Sequence, residues 1–267
     1  MQTLKGRLVS VIKKIFRMKP LLIFFILILT FLKPAAQDLD AIIKEADRLE
    51  AIPDENAALN KFKEALKIKP THLHALSKSS ELCSRIGQRQ KNTRLRDDYY
   101  TAARIYAETA LKIDSTNSEA NASMAIMLGR STLTKSGKEK VANAKDLKKY
   151  VEAAIKSNPS NFLAWHVLGR WHYEISNLNI VERAAVKMFY GGFPPSSLKE
   201  SITAFEKSKA LTSGFILNYL ELAKAYHRNN QNDKAIAILK EMLLIPNHTE
   251  DDPAIKETGK KLLKEWE

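Results

Sequence analysis

Cys83 is the only cysteine in 267 residues, so no intrachain disulfide can form and the fold must hold without cross-links. Nine glycines and nine prolines are too few for a loop-rich or all-β architecture. The six histidines are scattered. His72 and His74 have no cysteine or carboxylate at zinc-like spacing, and His166 and His172 turn to different faces of one helix. Gly191-Gly192 lacks the preceding strand and the following Lys-Ser/Thr of a phosphate loop. No nucleophile, base and orienting partner stand at catalytic spacing. The chain therefore reads as a non-enzyme, with no cofactor and no metal.

Long apolar runs are also missing. The longest, Leu21 to Leu32, is about 12 residues and is broken by Thr30, whereas crossing a bilayer takes roughly 17–25. Seven Lys or Arg and no acid lie in residues 1–37, and Pro34-Ala35-Ala36-Gln37 supplies small residues for cleavage. Residues 1–37 thus read as a signal peptide, with Met18 as an alternative start to Met1. The other reading is a retained N-terminal membrane segment. Export to the periplasm or cell envelope is expected, or anchoring if the segment stays. Without it, 36 basic face 30 acidic residues, a net charge of +6 rather than +13. So modest a charge, in that compartment, excludes nucleic acid as a partner.

What is present is a repeat. Ala58-x3-Phe62-x2-Ala65 recurs as Ala103/Ala107/Ala110, Leu147/Val151/Ala154, Ser201/Phe205/Ser208 and Ala235/Leu239/Met242. Each copy follows a second apolar stripe. Trp165-x2-Leu168-Gly169-x2-His172 and Tyr219-x2-Leu222-Ala223-x2-Tyr226 resemble the first half of a tetratricopeptide repeat. Small residues at Ala46, Ser80, Ala125, Gly169 and Ala223 let neighbouring helices approach closely. The expected fold is all-α: a tetratricopeptide-like right-handed solenoid over residues 38–267, of about five helical hairpins, with a C-terminal capping helix from about Asp251 to Trp266. Cys83 falls in an apolar stripe and reads as a buried, inert thiol.

From small residue to small residue within a hairpin the separations are 12, 23, 22, 32 and 12; between hairpins every separation is 22. All insertions therefore fall in the turn inside the middle three hairpins, on one edge of the solenoid. The first carries Arg89, Lys91, Arg94 and Arg96 before Asp97 and Asp98; the second carries Lys135, Lys138, Lys140 and Lys145 with Glu139; the third carries Val181, Met188, Phe189, Tyr190 and Phe193. A basic and aromatic edge suits an anionic lipid surface. In the concave groove, helical periodicity places Arg85, Arg130, Arg170, Lys224 and Arg228, joined by His74, His166, Tyr173 and His227. Such a groove suits a protein partner or an acidic peptide. Two readings follow: a scaffold using the groove, or a lipid-binding, membrane-apposed protein using the edge.

Ala164-Trp165-His166-Val167-Leu168-Gly169-Arg170-Trp171, the segment Phe193-Pro194-Pro195-Ser196-Ser197, and the tail Pro246-Asn247-His248-Thr249-Glu250-Asp251-Asp252 resemble the regulator of microtubule dynamics family. The resemblance covers most of the chain after Asp38. It implies a tetratricopeptide-like helical fold without enzymatic activity, in proteins that associate with microtubules or organelle membranes through protein contacts. With the export signal, a bacterial exported relative is expected, keeping the fold and the interaction role. Chaperone-binding tetratricopeptide domains hold a terminal carboxylate with a Lys and an Asn where this chain has Ile43 and Asp47, so that ligand is not expected.

Overall fold

The 22-residue spacing between hairpins has a local cause. Where the second helix of the first, second and third hairpins ends, the same two backbone hydrogen bonds form. Lys69, Asp114 and Asn158 donate N–H to the carbonyls of Ala65, Ala110 and Ala154, and three residues on His72, Asn117 and Asn161 donate to the carbonyls of Lys69, Asp114 and Asn158. The side chains of His72, Asn117 and Asn161 then accept from the N–H three residues ahead, of Ala75, Ala120 and Ala164. One short connector thus ends a helix and caps the next.

The computed structural model describes residues 39–132 and 136–267. The expectations for residues 1–37, and for cleavage after them, lie outside it. Within the described residues the secondary structure is helical: α1 (39–51), α2 (Glu55–Ile68), α3 (Leu73–Arg89), α4 (Thr93–Ile113), α5 (Ser118–Thr132), α6 (Gly137–Ser157), α7 (Phe162–Ser176), α8 (Ile180–Tyr190), α9 (Leu198–Leu211), α10 (Ile216–Arg228), α11 (Asn232–Leu244) and α12 (Asp252–Trp266). No described helix is long and apolar enough to cross a membrane.

The hairpins are α1/α2, α3/α4, α5/α6, α7/α9 and α10/α11. All fifteen positions of the second-helix pattern are buried, as are Ala46, Ser80, Ala125, Gly169 and Ala223 on the first helices. Each hairpin buries its stripe against the next, so one apolar core runs from Ala46 to Ile175 and continues into packing around Phe205, Leu222 and Leu239. Helix α12 closes the end: Ile255, Leu262, Leu263 and Trp266 cover the cluster of Tyr219, Leu239 and Met242. Cys83 is buried, and burial raises its thiol to about 11.

The insertions take two forms. The first two lengthen their helices, so that α4 and α6 each run 21 residues against 14 in α2 and 13 in α11. The third folds as a separate helix, α8, between α7 and α9.

Candidate binding site

The solenoid returns on itself. Glu55, the first residue of α2 and fully buried, donates its backbone N–H to Glu250 Oε1 at 3.0 Å, across 195 residues of sequence. Arg89 at the end of α3 locks this closure, its Nη2 standing 2.7 Å from Glu55 and 3.1 Å from Glu250 while Nη1 lies 3.1 Å from Asp251. The first two hairpins are thereby clasped to the turn between α11 and α12.

Behind the clasp lies a cavity of about 480 Å³. Its charged lining comes from α1, α3 and α5, through Asp47, Glu50, Lys78, Glu81, Arg85 and Arg130, and from the turn into α12, through Asp251 and Asp252. Its apolar wall comes from the starts of α7 and α10, through Phe162, Leu163, Phe215 and Leu217. The charges on α3 share one stripe because 78, 81, 85 and 89 follow helical spacing. Arg85 pairs with Glu50 and Glu55, each at 3.0 Å, and Lys78 pairs with Glu50 at 3.0 Å. Burial alone would push the Glu50 carboxyl up, but Lys78 and Arg85 outweigh it and hold Glu50 below its ordinary range. Glu81 is raised, burial outweighing the opposing pull of Lys78.

Arg130 differs from its neighbours. Its Nη1 donates to Ser84 Oγ at 2.6 Å and to the Glu81 carbonyl at 3.4 Å, and no carboxylate among the described residues pairs with it. Burial, and then the like charge of Arg85, bring it down to about 10, so it stays cationic at neutral pH. Arg130 thus makes no direct ion pair, although the charges of Asp251 and Glu81 act on it from nearby.

The remaining groove candidates are placed elsewhere. Arg170 Nη1 lies 2.9 Å from buried Glu221, which also takes Lys224 at 3.1 Å, and Arg170 Nη2 reaches Glu174 at 3.1 Å. Arg228 covers the Tyr173 ring at 4.9 Å and donates to the Tyr173 carbonyl and to Ser176 Oγ. His227 stacks on Trp266 with ring centroids 4.0 Å apart. These groups fasten hairpins four and five and the cap together, and they do not line the cavity.

His166 also departs from its expected position. It is buried, its ring packs against Phe215 at 4.8 Å and Phe205 at 5.6 Å, and its Nδ1 is 3.0 Å from Asn218 Oδ1. Asn218 donates its amide to the Phe205 carbonyl, so Nδ1 must carry the proton toward Oδ1. Burial lowers His166 to about 4. His74 moves the other way: the hydrogen bond to Glu119 and then that to Asp47, each at 2.9 Å, outweigh burial and raise it to about 9.

The two histidines shape opposite limbs of the stability profile. Between pH 4 and 6.5 only the unfolded chain protonates His166, so stability falls as the pH drops through that window. His74 contributes fully below pH 6.5, and its contribution is lost as the pH rises toward 9. Melting temperature is expected to peak near pH 6.5, and His74→Gln should flatten the alkaline limb while sparing the acid one. An alkaline limb of wild-type steepness in that variant would contradict the ion pairing of His74.

The expected basic edge is only partly an edge. Arg89 belongs to the clasp, and Arg96 is half-buried. Lys91 and Arg94 are exposed. In the third insertion Phe189 is exposed, Tyr190 is half-buried, and Phe193 packs back on the main core. Sequence reasoning missed Glu50, Glu55, Lys78, Phe162, Phe215 and Asp251. The acidic run Glu250-Asp251-Asp252 was the available signal for closure, as the chemical complement of the basic stripe on α3.

Comparisons with known proteins bear on the family and the fold. The family described as regulator of microtubule dynamics protein 1-3 matches residues 42–267. Regulator of microtubule dynamics protein 3 of Xenopus laevis is 30% identical over 158 residues, 59% of this chain and 34% of that protein. Protein 1 of Mus musculus is 30% identical over 159 residues, 59% of this chain and 52% of that protein. The chain therefore spans a third to a half of the length of these relatives. Among solved structures, a thermophilic TPR protein of Thermus thermophilus superposes with a TM-score of 0.60 at 14% identity, covering 85% of this chain and 99% of that one. That likeness shows the fold.

Proposed function

Given that the chain belongs to the regulator of microtubule dynamics family, we propose that it is a non-enzymatic scaffold that takes an acidic segment of a protein partner into the cavity lined by α1, α3, α5 and the starts of α7 and α10. The observation that carries this reading is Arg130, a recessed guanidinium on the cavity wall without a carboxylate of its own. A bound carboxylate would supply the missing countercharge in a bidentate geometry. The facing wall of Phe162 and Phe215 suits an apolar side chain next to the acid. The clasp shows the same chemistry within the chain, since Glu250 and Asp251 present carboxylates from a turn to Arg89.

The test uses short peptides that alternate Asp or Glu with Phe or Leu, beside the same peptides with Asn and Gln in place of the acids. Fluorescence anisotropy with the full chain is expected to show binding of the acidic set only. Arg130→Gln should weaken it about tenfold or more, since a hydrogen bond to a charged group contributes about 1.5–3 kcal/mol. Lys91→Gln with Arg94→Gln should leave it unchanged. Equal binding of the acidic and amide peptides, or an Arg130→Gln variant that binds like the wild type, would refute the reading.

A further inference from the structure

Helix α8 turns its larger apolar face away from the protein. Ile180, Val181, Ala184, Ala185, Met188 and Phe189 form one continuous arc at helical spacing, and all six are exposed; Ile180 is 86%, Met188 79% and Phe189 70% accessible. The opposite side carries the smaller apolar pair, Val186 and Tyr190, both half-buried. A helix on a globular surface ordinarily does the reverse.

The helix is built to persist without packing on that face. At its start Asn179 and Glu182 form a reciprocal capping box, with bonds of 2.9 and 2.8 Å. At its end Gly191 takes φ 74°, so that its N–H reaches the Lys187 carbonyl and the Gly192 N–H reaches that of Val186. Arg183 donates back to the carbonyls of Ser176 and Leu178, and Lys145 of α6 donates to the Tyr190 carbonyl. The arc is thus held outward by contacts on its other side.

Charge selects the occupant. Lys187 borders the arc, and Tyr190 places its hydroxyl beside Gly137, at the start of α6, where Lys138 and Lys140 are exposed on either side of Glu139. Glu182, the only acid on α8, has its carboxylate on the Asn179 backbone N–H. The arc offers Ile, Val, Met and Phe with no polar group to fix a register, which a fluid surface does not require. We infer that α8 is a peripheral docking helix that seats its apolar arc in the interface of an anionic lipid bilayer, with Lys138, Lys140 and Lys187 at the headgroups. This does not depend on the cavity having a ligand.

An environment-sensitive fluorophore on Met188→Cys in the full chain tests it locally, whatever residues 1–38 do. Cys83 needs no replacement, because it is buried and its thiol is raised to about 11. With vesicles of phosphatidylcholine carrying about a third phosphatidylglycerol, headgroup charge that polybasic contacts recognise, the probe emission should shift to the blue and be quenched by brominated acyl chains. The same probe on Glu257→Cys in α12 should stay water-like. Replacing Lys138, Lys140 and Lys187 by Gln should lower vesicle affinity at low salt by about fivefold per charge. A water-like Met188 probe on vesicle-bound chain would overturn the inference. So would an equal shift on pure phosphatidylcholine, or a blue shift that grows with protein concentration without vesicles, which would mark a second copy as the occupant.

Discussion

Arg89→Met is expected to destabilise the protein by about 3 kcal/mol in urea unfolding, far more than any exposed basic residue near it. The residue holds three carboxylates, Glu55, Glu250 and Asp251, and Glu55 is fully buried. Removing one partner of a buried pair leaves an uncompensated charge, at about 3–5 kcal/mol. The lower end applies because Arg89 keeps 26% of its side chain exposed and Arg85 still faces Glu55. Lys91→Gln and Arg94→Gln should each stay within about 0.5 kcal/mol, as exposed substitutions do. Hydrogen exchange should show the loosening at Glu55 and around Glu250, the two ends of the closure. A cost below about 1 kcal/mol, at the level of an exposed pair, would mean that the turn after α11 is not seated on α3.

That contrast separates what periodicity can read from what it cannot. Ala58, Phe62 and Ala65 and their four copies were legible because helix pairing is local, and a 3.6-residue stripe reports it directly. The equal spacing between hairpins was legible because one connector with the same two hydrogen bonds is reused. Arg89 was not, because its burial arises from closure across residues 162 apart. Periodicity says which face of α3 meets its own hairpin; it does not say that the opposite face meets the far end of the chain. His166 shows the same limit. It flanks the stripe that packs on α9, its ring touching Phe205, and Asn218 and Phe215 cover it from the next hairpin. First helices in a solenoid bury two faces, and a single-stripe reading assigns the second to the groove. The hydrophobic arc of α8 was visible as a list of residues, but its outward orientation depends on the caps and on Lys145.

The tightest contact inside a hairpin should give the second large effect. Gly169 on α7 and Phe205 on α9 approach so closely that a Cβ at Gly169 would stand 2.6 Å from the Phe205 ring. Phe205 is fully buried, and Ser201 on the same helix donates to the Gly169 carbonyl at 2.8 Å, so neither helix can retreat without losing that bond. Phe205→Ala is expected to cost about 3–5 kcal/mol through lost burial and the cavity left behind. Gly169→Leu should cost about 1–3 kcal/mol or more by overpacking. The double variant places the new side chain where the ring was, so its cost should fall short of the sum by at least about 0.5 kcal/mol, within the range of coupling seen for residues in contact. Unfolding free energies for the two single variants and the pair, with circular dichroism to confirm that helix content is retained, complete the cycle. Strict additivity would mean that the two residues do not share one space, and that the fourth hairpin closes through some other pair.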